Sequence, residues 1–237
     1  MEKIVAALWR SETENPQNFN AKLLAGLPRA LRAAGAGGVR INVRDRAVEP
    51  AFALVQQWQQ PQQDAVVQFW LPSSNARFRG PADTAISAHC QRFAAWLVVE
   101  STVIANTAHP PAPGARTWGW SQASFISFRR ELTHSEATRV WHSHHTRVAI
   151  ETQANFEYIQ NLVVLPLTPD APAYDAFVEE CFPEPAMTDP QAFFGAVGDP
   201  AKFNANLAAM MDSCGRFIDF TRIDVLPTSQ HDFAHLI

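Results

Sequence analysis

His109-Pro110-Pro111-Ala112-Pro113-Gly114 divides the chain. Three prolines within four positions fix φ and remove backbone donors. Neither a helix nor a strand ladder can run through such a stretch, so it reads as a semi-rigid connector. The residues on either side repeat one order of elements, and that repetition sets the expected fold.

Upstream, Lys3 to Trp9 reads as a strand. Asn15-Pro16 supplies an N-cap followed by proline at the first helical position. Phe19, Leu23, Leu24, Leu27 and Leu31 follow at helical spacing, and Gly35, Gly37 and Gly38 end the run. Val39 to Val43 alternates as a second strand, and Asp64 to Leu71 makes a third. A helix around Asp83 to Gln91 and a strand from Ala94 to Glu100 complete this half.

Downstream the order recurs. Ser124 to Phe128 reads as a strand. Thr133-His134-Ser135-Glu136 forms a capping box that opens a helix running to about Thr152. Strands from Phe156 to Leu165 and Tyr174 to Phe182 follow. Helical segments around Pro190 to Ala196 and Pro200 to Asp212 precede a last strand, Thr221 to Leu226. The stretch Glu184 to Asp199 reads as a surface insertion peculiar to this half.

Two local matches support duplication. Asp64-Ala65-Val66-Val67 with Pro72 returns as Asp175-Ala176-Phe177-Val178 with Pro183. Cys90-Gln91-Arg92-Phe93 returns as Cys214-Gly215-Arg216-Phe217. One β-α-β-β-α-β unit leaves a sheet face uncovered, and two can close a shared interior. The expected class is α+β: two tandem units, residues 1–108 and 115–237, packed as a pseudo-two-fold barrel. Edge strands of that barrel could mediate a homodimer.

Composition bounds the partners. With 47% hydrophobic and 18% charged residues, the chain of 237 is globular in character. A net charge of −4 and a pI near 6.0 argue against a nucleic-acid binder. No apolar run approaches a membrane span, and the N-terminus lacks a signal-peptide core. Cys90, Cys181 and Cys214 are odd in number and far apart, which suits reduced thiols and a cytoplasmic location.

Chemistry concentrates in Trp141-His142-Ser143-His144-His145, which holds three of the eight histidines. Histidine titrates near physiological pH, so proton transfer and metal ligation are both open to it. On a regular helix His144 and His145 fall beside the apolar stripe of Ala137, Val140, Trp141 and Val148, while His142 lies further round. A metal site would need a third protein ligand, and Glu136 and Glu151 stand too far along the helix. No metal is therefore expected, and His145, His144 and His142 are the candidate acid/base residues. A histidine beside Trp141 is partly desolvated and held toward its neutral, base-competent form.

Flanking residues complete the expected site. Arg129 and Arg130 end the strand that leads into this helix, and Arg10 ends the matching strand of the first half. Each is a candidate anchor for an anion or carbonyl. Tyr158 could donate a hydrogen bond, and Trp141 and Trp9 are candidate pocket walls. Seven tryptophans suggest an interior that suits a flat aromatic ligand. No Gly-rich phosphate loop, Gly-x-Ser-x-Gly elbow or Cys-x-x-Cys pair occurs.

Arg129-Arg130, the capping box, Trp141 ahead of His145, Tyr158-Ile159-Gln160-Asn161 and Phe217-Ile218-Asp219 together resemble the EthD-domain pattern. The resemblance covers about residues 117 to 227, with the first half as a degenerate copy lacking the histidine. It implies the dimeric α+β barrel superfamily, with two ferredoxin-like units fused in one chain. Only His145 matches the family's histidine; His142 and His144 are extra, and His145-Thr146-Arg147-Val148 departs from the usual His-Ala/Gly-Pro-Leu. The first functional expectation is a cofactor-independent enzyme of lyase, isomerase or cyclase type on an aromatic or carbonyl metabolite. The second is an oxidoreductase, or an accessory component of oxidative degradation, carrying haem, flavin or a metal. The third is a non-catalytic ligand-binding barrel.

Overall fold

The computed structural model describes residues 1–233. Eight strands close into one antiparallel barrel: β1 (Glu2–Trp9), β2 (Gly38–Val43), β3 (Ala65–Leu71), β4 (Arg92–Ile104), β5 (Trp120–Phe128), β6 (Glu157–Pro166), β7 (Ala176–Phe182) and β8 (Ile218–Asp232). Around the barrel the order is β1-β3-β2-β8-β5-β7-β6-β4, with β4 paired back to β1. The first four strands fill one side and the last four the other, joined at β2–β8 and β4–β6.

Helices cover the outer face. Helix α1 (Pro16–Ala33) and α2 (Ala76–Ser87) lie on the first four strands. Helices α3 (His134–Val140) and α4 (Thr146–Thr152), a short α5 (Pro190–Phe193) and α6 (Pro200–Gly215) lie on the last four. Asn15 caps α1 by accepting from the Gln17 and Asn18 amides, and Phe19, Leu23, Leu27 and Leu31 seal it onto β1, β2 and β3. The capping box at Thr133 and Glu136 starts α3 as expected.

Strand alternation explains why nearly every residue of β1 is buried. Ile4, Ala6 and Leu8 face the helices, whereas Val5, Ala7 and Trp9 face the lumen. The lumen is filled by the protein itself. One end is apolar, where Trp96, Phe125, Tyr174 and Phe177 pack ring against ring at 4.8–5.5 Å. The other end is polar: Arg40 reaches Glu179 at 3.0 Å, Glu157 at 3.1 Å and Asp232 at 2.7 Å. Asn42, Gln68 and Gln230 add hydrogen bonds to Glu179. Burial alone would raise the Glu179 pKa, but Arg40 and these amides hold it well below the usual carboxylate range. The expected aromatic interior is thus a packed core and does not form a ligand chamber.

Several boundaries differ from the sequence reading. Helix α2 runs from Ala76 to Ser87, earlier than Asp83 to Gln91, because Asn75 caps it; Pro81 lies inside the helix, where it gives up one backbone hydrogen bond without ending it. Strand β8 extends to Asp232, well past Leu226. Pro227 does not end it, because pairing to β2 begins only at Ser229 and no ladder partner is lost on that side. The stretch Glu184 to Asp199 is no surface excursion: Ala186, Met187 and Ala192 pack with Trp120, Phe182, Val48 and Ala51 in a shared core. The closed barrel leaves no edge strand among the described residues, so dimerisation by strand addition has no site.

The Pro-rich connector is pinned. The Gly114 amide donates to the Asp232 carbonyl at 2.6 Å, and His231 Nδ1 contacts the Gly114 carbonyl oxygen at 3.0 Å. No helix of the described residues is long and apolar enough to cross a membrane.

Candidate active site

Helices α3 and α4 are one continuous rod interrupted by a π turn, Trp141–His145. In that turn the Thr146 amide bonds to the Trp141 carbonyl, five residues back. The Thr146 hydroxyl bonds to the same carbonyl at 3.0 Å. A widened turn breaks the 100° phase assumed for a regular helix. Trp141 and His145 both point inward and are buried, whereas His144 is half-buried and His142 is exposed. The expected inward pairing of His144 with His145 is corrected by this local geometry.

Trp141 and His145 line a cavity of about 210 Å³ between the outer face of the last four strands and the helices above them. His145 Nδ1 lies 3.0 Å from Ser213 Oγ on α6, and its ring lies 5.0 Å from that of Phe217. Burial, with a smaller contribution from the His144 charge, lowers its pKa to about 4. His145 is therefore neutral at physiological pH.

Strands β6 and β7 supply the opposite wall. Tyr158 and Glu180 are register partners on these strands and both line the cavity. The Tyr158 hydroxyl accepts from Gln160 Nε2 at 2.7 Å. Burial, and then the nearby Glu180 charge, push its pKa up, so the phenol stays protonated. Glu180 accepts from Asn155 Nδ2 at 2.8 Å, while Gln122 Nε2 stands 3.5 Å from its other oxygen. Burial raises the Glu180 pKa to about 7 against that one hydrogen bond. Gln122, Ser124 and Cys214 are further polar members of the lining, and Phe193, Phe194, Met210 and Phe220 are apolar ones.

The other expected site residues lie elsewhere. Arg129 and Arg130 border a separate surface cleft that shares only Ile218 and Phe220 with the histidine cavity. Arg129 Nη1 is used to hold the Gly215 carbonyl at 2.8 Å. In the first half, the Arg10 amide bonds to Asp64 and its guanidinium to the Ser11 and Glu14 carbonyls. Trp9 is a lumen residue: its indole donates to the Pro61 carbonyl at 2.9 Å, and the Arg92 guanidinium lies 3.8 Å over its ring. Neither Arg10 nor Trp9 lines the histidine cavity.

A larger hollow, about 350 Å³, opens at the polar end of the barrel beneath Pro110, Pro111 and Pro113. Of its charged residues, Arg40 pairs with Glu157 and Asp232, and Glu100 pairs with Lys3 at 2.6 Å, so it reads as the outer surface of the lumen's ion-pair network. Among the described residues, no group of three His, Cys, Asp or Glu side chains is placed to hold a metal ion. All three cysteines are free thiols.

Sequence reasoning missed Glu180, and a usable signal was present. Glu179 and Glu180 are adjacent in a strand, so they face opposite sides of the sheet. In a barrel covered by helices both faces are buried, so neither carboxylate can be an ordinary solvated one. Glu179 became the hub of the lumen, and Glu180 entered the cavity.

Residues 129–221 match the EthD domain. The match takes in the π turn, His145, Tyr158 and Glu180, and leaves the first half outside it. The whole chain is similar in structure to an anthrone oxidase-like protein, with a TM-score of 0.55, 9% identity, and coverage of 100% of this chain and 95% of that one. A monooxygenase-like protein of Lactobacillus acidophilus NCFM gives 0.47 at 8% identity, covering 98% of this chain and 94% of that one. One of Fusobacterium nucleatum gives 0.47 at 6%, covering 98% and 92%. No curated protein matches the chain. At this identity the first structure establishes the barrel fold alone. The EthD segment thus sits in a barrel related at low identity to that of anthrone oxidase-like proteins.

Proposed function

We propose that this protein is an oxidoreductase that removes a proton from a small, ring-bearing carbonyl metabolite in the EthD-segment cavity, and that His145 is the base. The observation that carries the reading is a buried, neutral His145 facing an aromatic-walled cavity. A neutral imidazole accepts a proton, and an apolar wall excludes water from the carbanion or enolate that results. Such an electron-rich species reduces dioxygen directly. A ring CH₂ becomes C=O, one oxygen atom enters the carbonyl and the other leaves as water, so the equation balances with dioxygen as sole oxidant. The similarity to an anthrone oxidase-like structure favours this chemistry over a redox-neutral one. The cavity suits a compact ring system better than a haem or a flavin nucleotide.

The two halves are read as copies of one ferredoxin-like unit, 1–108 and 115–237, of which only the second carries the histidine. Each half runs β-α-β-β-α-β when its short helices are set aside, with the same internal strand order in the barrel. Turnover of anthrone, followed by oxygen uptake and quinone absorbance, tests the function. The reading expects His145→Ala to reduce turnover about 10²-fold or more; unchanged turnover in that variant would end it. The second reading is a proton-transfer enzyme of lyase or isomerase type. It is favoured if the ring ketone is enolised under argon and no oxygen is consumed in air.

A further inference from the structure

We propose that Glu180 is the proton donor that works opposite His145, and that the pair selects an enolisable ring ketone as substrate. The inference rests on the reading of His145 as the base. It starts from placement: His145 comes from the π turn, Glu180 from β7, and both line one cavity from opposing walls. One oxygen of Glu180 is held by Asn155, and the other has only Gln122 at 3.5 Å, too long for a strong bond. A carboxyl with one pinned oxygen and one weakly engaged oxygen is oriented and still able to serve a ligand.

The groups facing this pair set its proton order. Glu180 meets the protonated Tyr158 from β6 and Cys214 from α6, and among the described residues no cation lines the cavity to hold it ionised. His145 meets Ser213 from α6 and His144 from its own turn, and among the described residues no carboxylate is hydrogen-bonded to its ring. Burial therefore pushes the two groups in opposite directions, His145 to about 4 and Glu180 to about 7. Between those values the imidazole is a free base while the carboxyl still holds its proton. Environments that separate two titrating groups in this way mark an acid and a base.

The matching substrate has an acidic C–H next to a carbonyl. His145 takes the carbon-bound proton on the ring nitrogen not engaged with Ser213. The C–H electron pair becomes the C=C bond of the enol, and the carbonyl oxygen takes the Glu180 proton. Ketone and enol are isomers, so the step needs no co-reactant. Tyr158, also protonated and on the same wall, can donate to the same oxygen.

The test is α-hydrogen exchange of 2-tetralone in deuterium oxide under argon, followed by proton NMR across pH 4 to 9, with 2-naphthol as the stable enol mimic for binding. The wild type should speed exchange at least tenfold over buffer, with activity falling above about pH 7 as Glu180 loses its proton. Glu180→Gln should cut exchange at least tenfold and abolish that alkaline limb. Asn155→Ala, which removes the hydrogen bond that favours the carboxylate, should move the limb to higher pH and leaves Glu180 in place. If His145→Ala abolishes exchange while Glu180→Gln and Asn155→Ala leave rate and limb unchanged, the proposal for Glu180 falls and the function stands. If the wild type neither speeds exchange nor binds 2-naphthol, both fall together.

Discussion

Tyr158 and Glu180 are cross-strand partners on β6 and β7, and both present their side chains to the cavity that His145 closes from above. The pairing places a protonated phenol beside a carboxyl whose pKa is raised to about 7, and no cation among the described residues lines the cavity to neutralise either. A buried arrangement of this kind costs stability, so its energetic signature is measurable.

His145 should make the fold acid-sensitive. Its pKa is lowered to about 4 from an ordinary 6.5, so the unfolded chain takes up a proton first as pH falls. The stability this neutral group contributes is complete above 6.5 and is lost progressively between 6.5 and 4. A shift of this size corresponds to on the order of 3 kcal/mol. His145→Gln should flatten the pH dependence of urea unfolding across that window.

Glu180 acts with the opposite sign. Its folded pKa is raised, so the folded state keeps a proton that the unfolded state has released. Stability is therefore lost as pH climbs from about 4.5 to about 7, by on the order of 3 kcal/mol. Glu180→Gln should raise the Tm at pH 8 and have little effect at pH 4. An equal shift at both pH values would contradict this account.

Arg40 anchors the polar end of the lumen. Removing it would leave Glu179 and Glu157 buried without their counter-charge. Arg40→Met should destabilise the fold by about 3–5 kcal/mol in chemical denaturation. Arg40→Met combined with Glu179→Gln should recover part of that loss, because a neutral amide is far cheaper to bury than an unpaired carboxylate.

Trp141 has both a structural and a site role. It is fully buried, packs against Phe128 and Phe217, and lines the cavity. Trp141→Ala should cost about 3–5 kcal/mol in unfolding. Where the variant still folds, its affinity for 2-naphthol should drop while Arg129→Ala leaves it unchanged, since Arg129 borders the neighbouring cleft.

The capping box is a local prediction. Thr133 and Glu136 exchange hydrogen bonds at the start of α3. Thr133→Ala should cost about 1 kcal/mol in thermal unfolding without altering ligand affinity.

Much of this architecture could be read from local pattern. Alternation in Lys3 to Trp9 and Val39 to Val43, the Asn15-Pro16 cap, the Thr133 capping box and the Pro110–Pro113 break are set by φ/ψ preference and nearest neighbours. Those signals placed all eight strands, but β4, β5 and β8 were each read about half as long as they are; β8 was cut short because Pro227 looks like a stop when its ladder partners are unknown. Trp141 and His145 were legible for the same reason, as neighbours on a single helix.

What tertiary structure decided is everything that depends on which face is covered and by what. The π turn separated His145 from His144, because its phase follows how the rod seats on the sheet and α6 and no propensity reports it. Closure of the barrel buried both faces of β7, sending Glu179 to Arg40 and Glu180 to the cavity, more than 30 residues along the chain from His145. The sequence by itself determined the elements, their order and the histidine. How far burial lowers that histidine's pKa, its carboxyl counterpart and the exclusion of Arg10, Trp9 and Arg129 from its cavity came from packing, because desolvation and Coulomb energy depend on distances in space and not on separation along the chain.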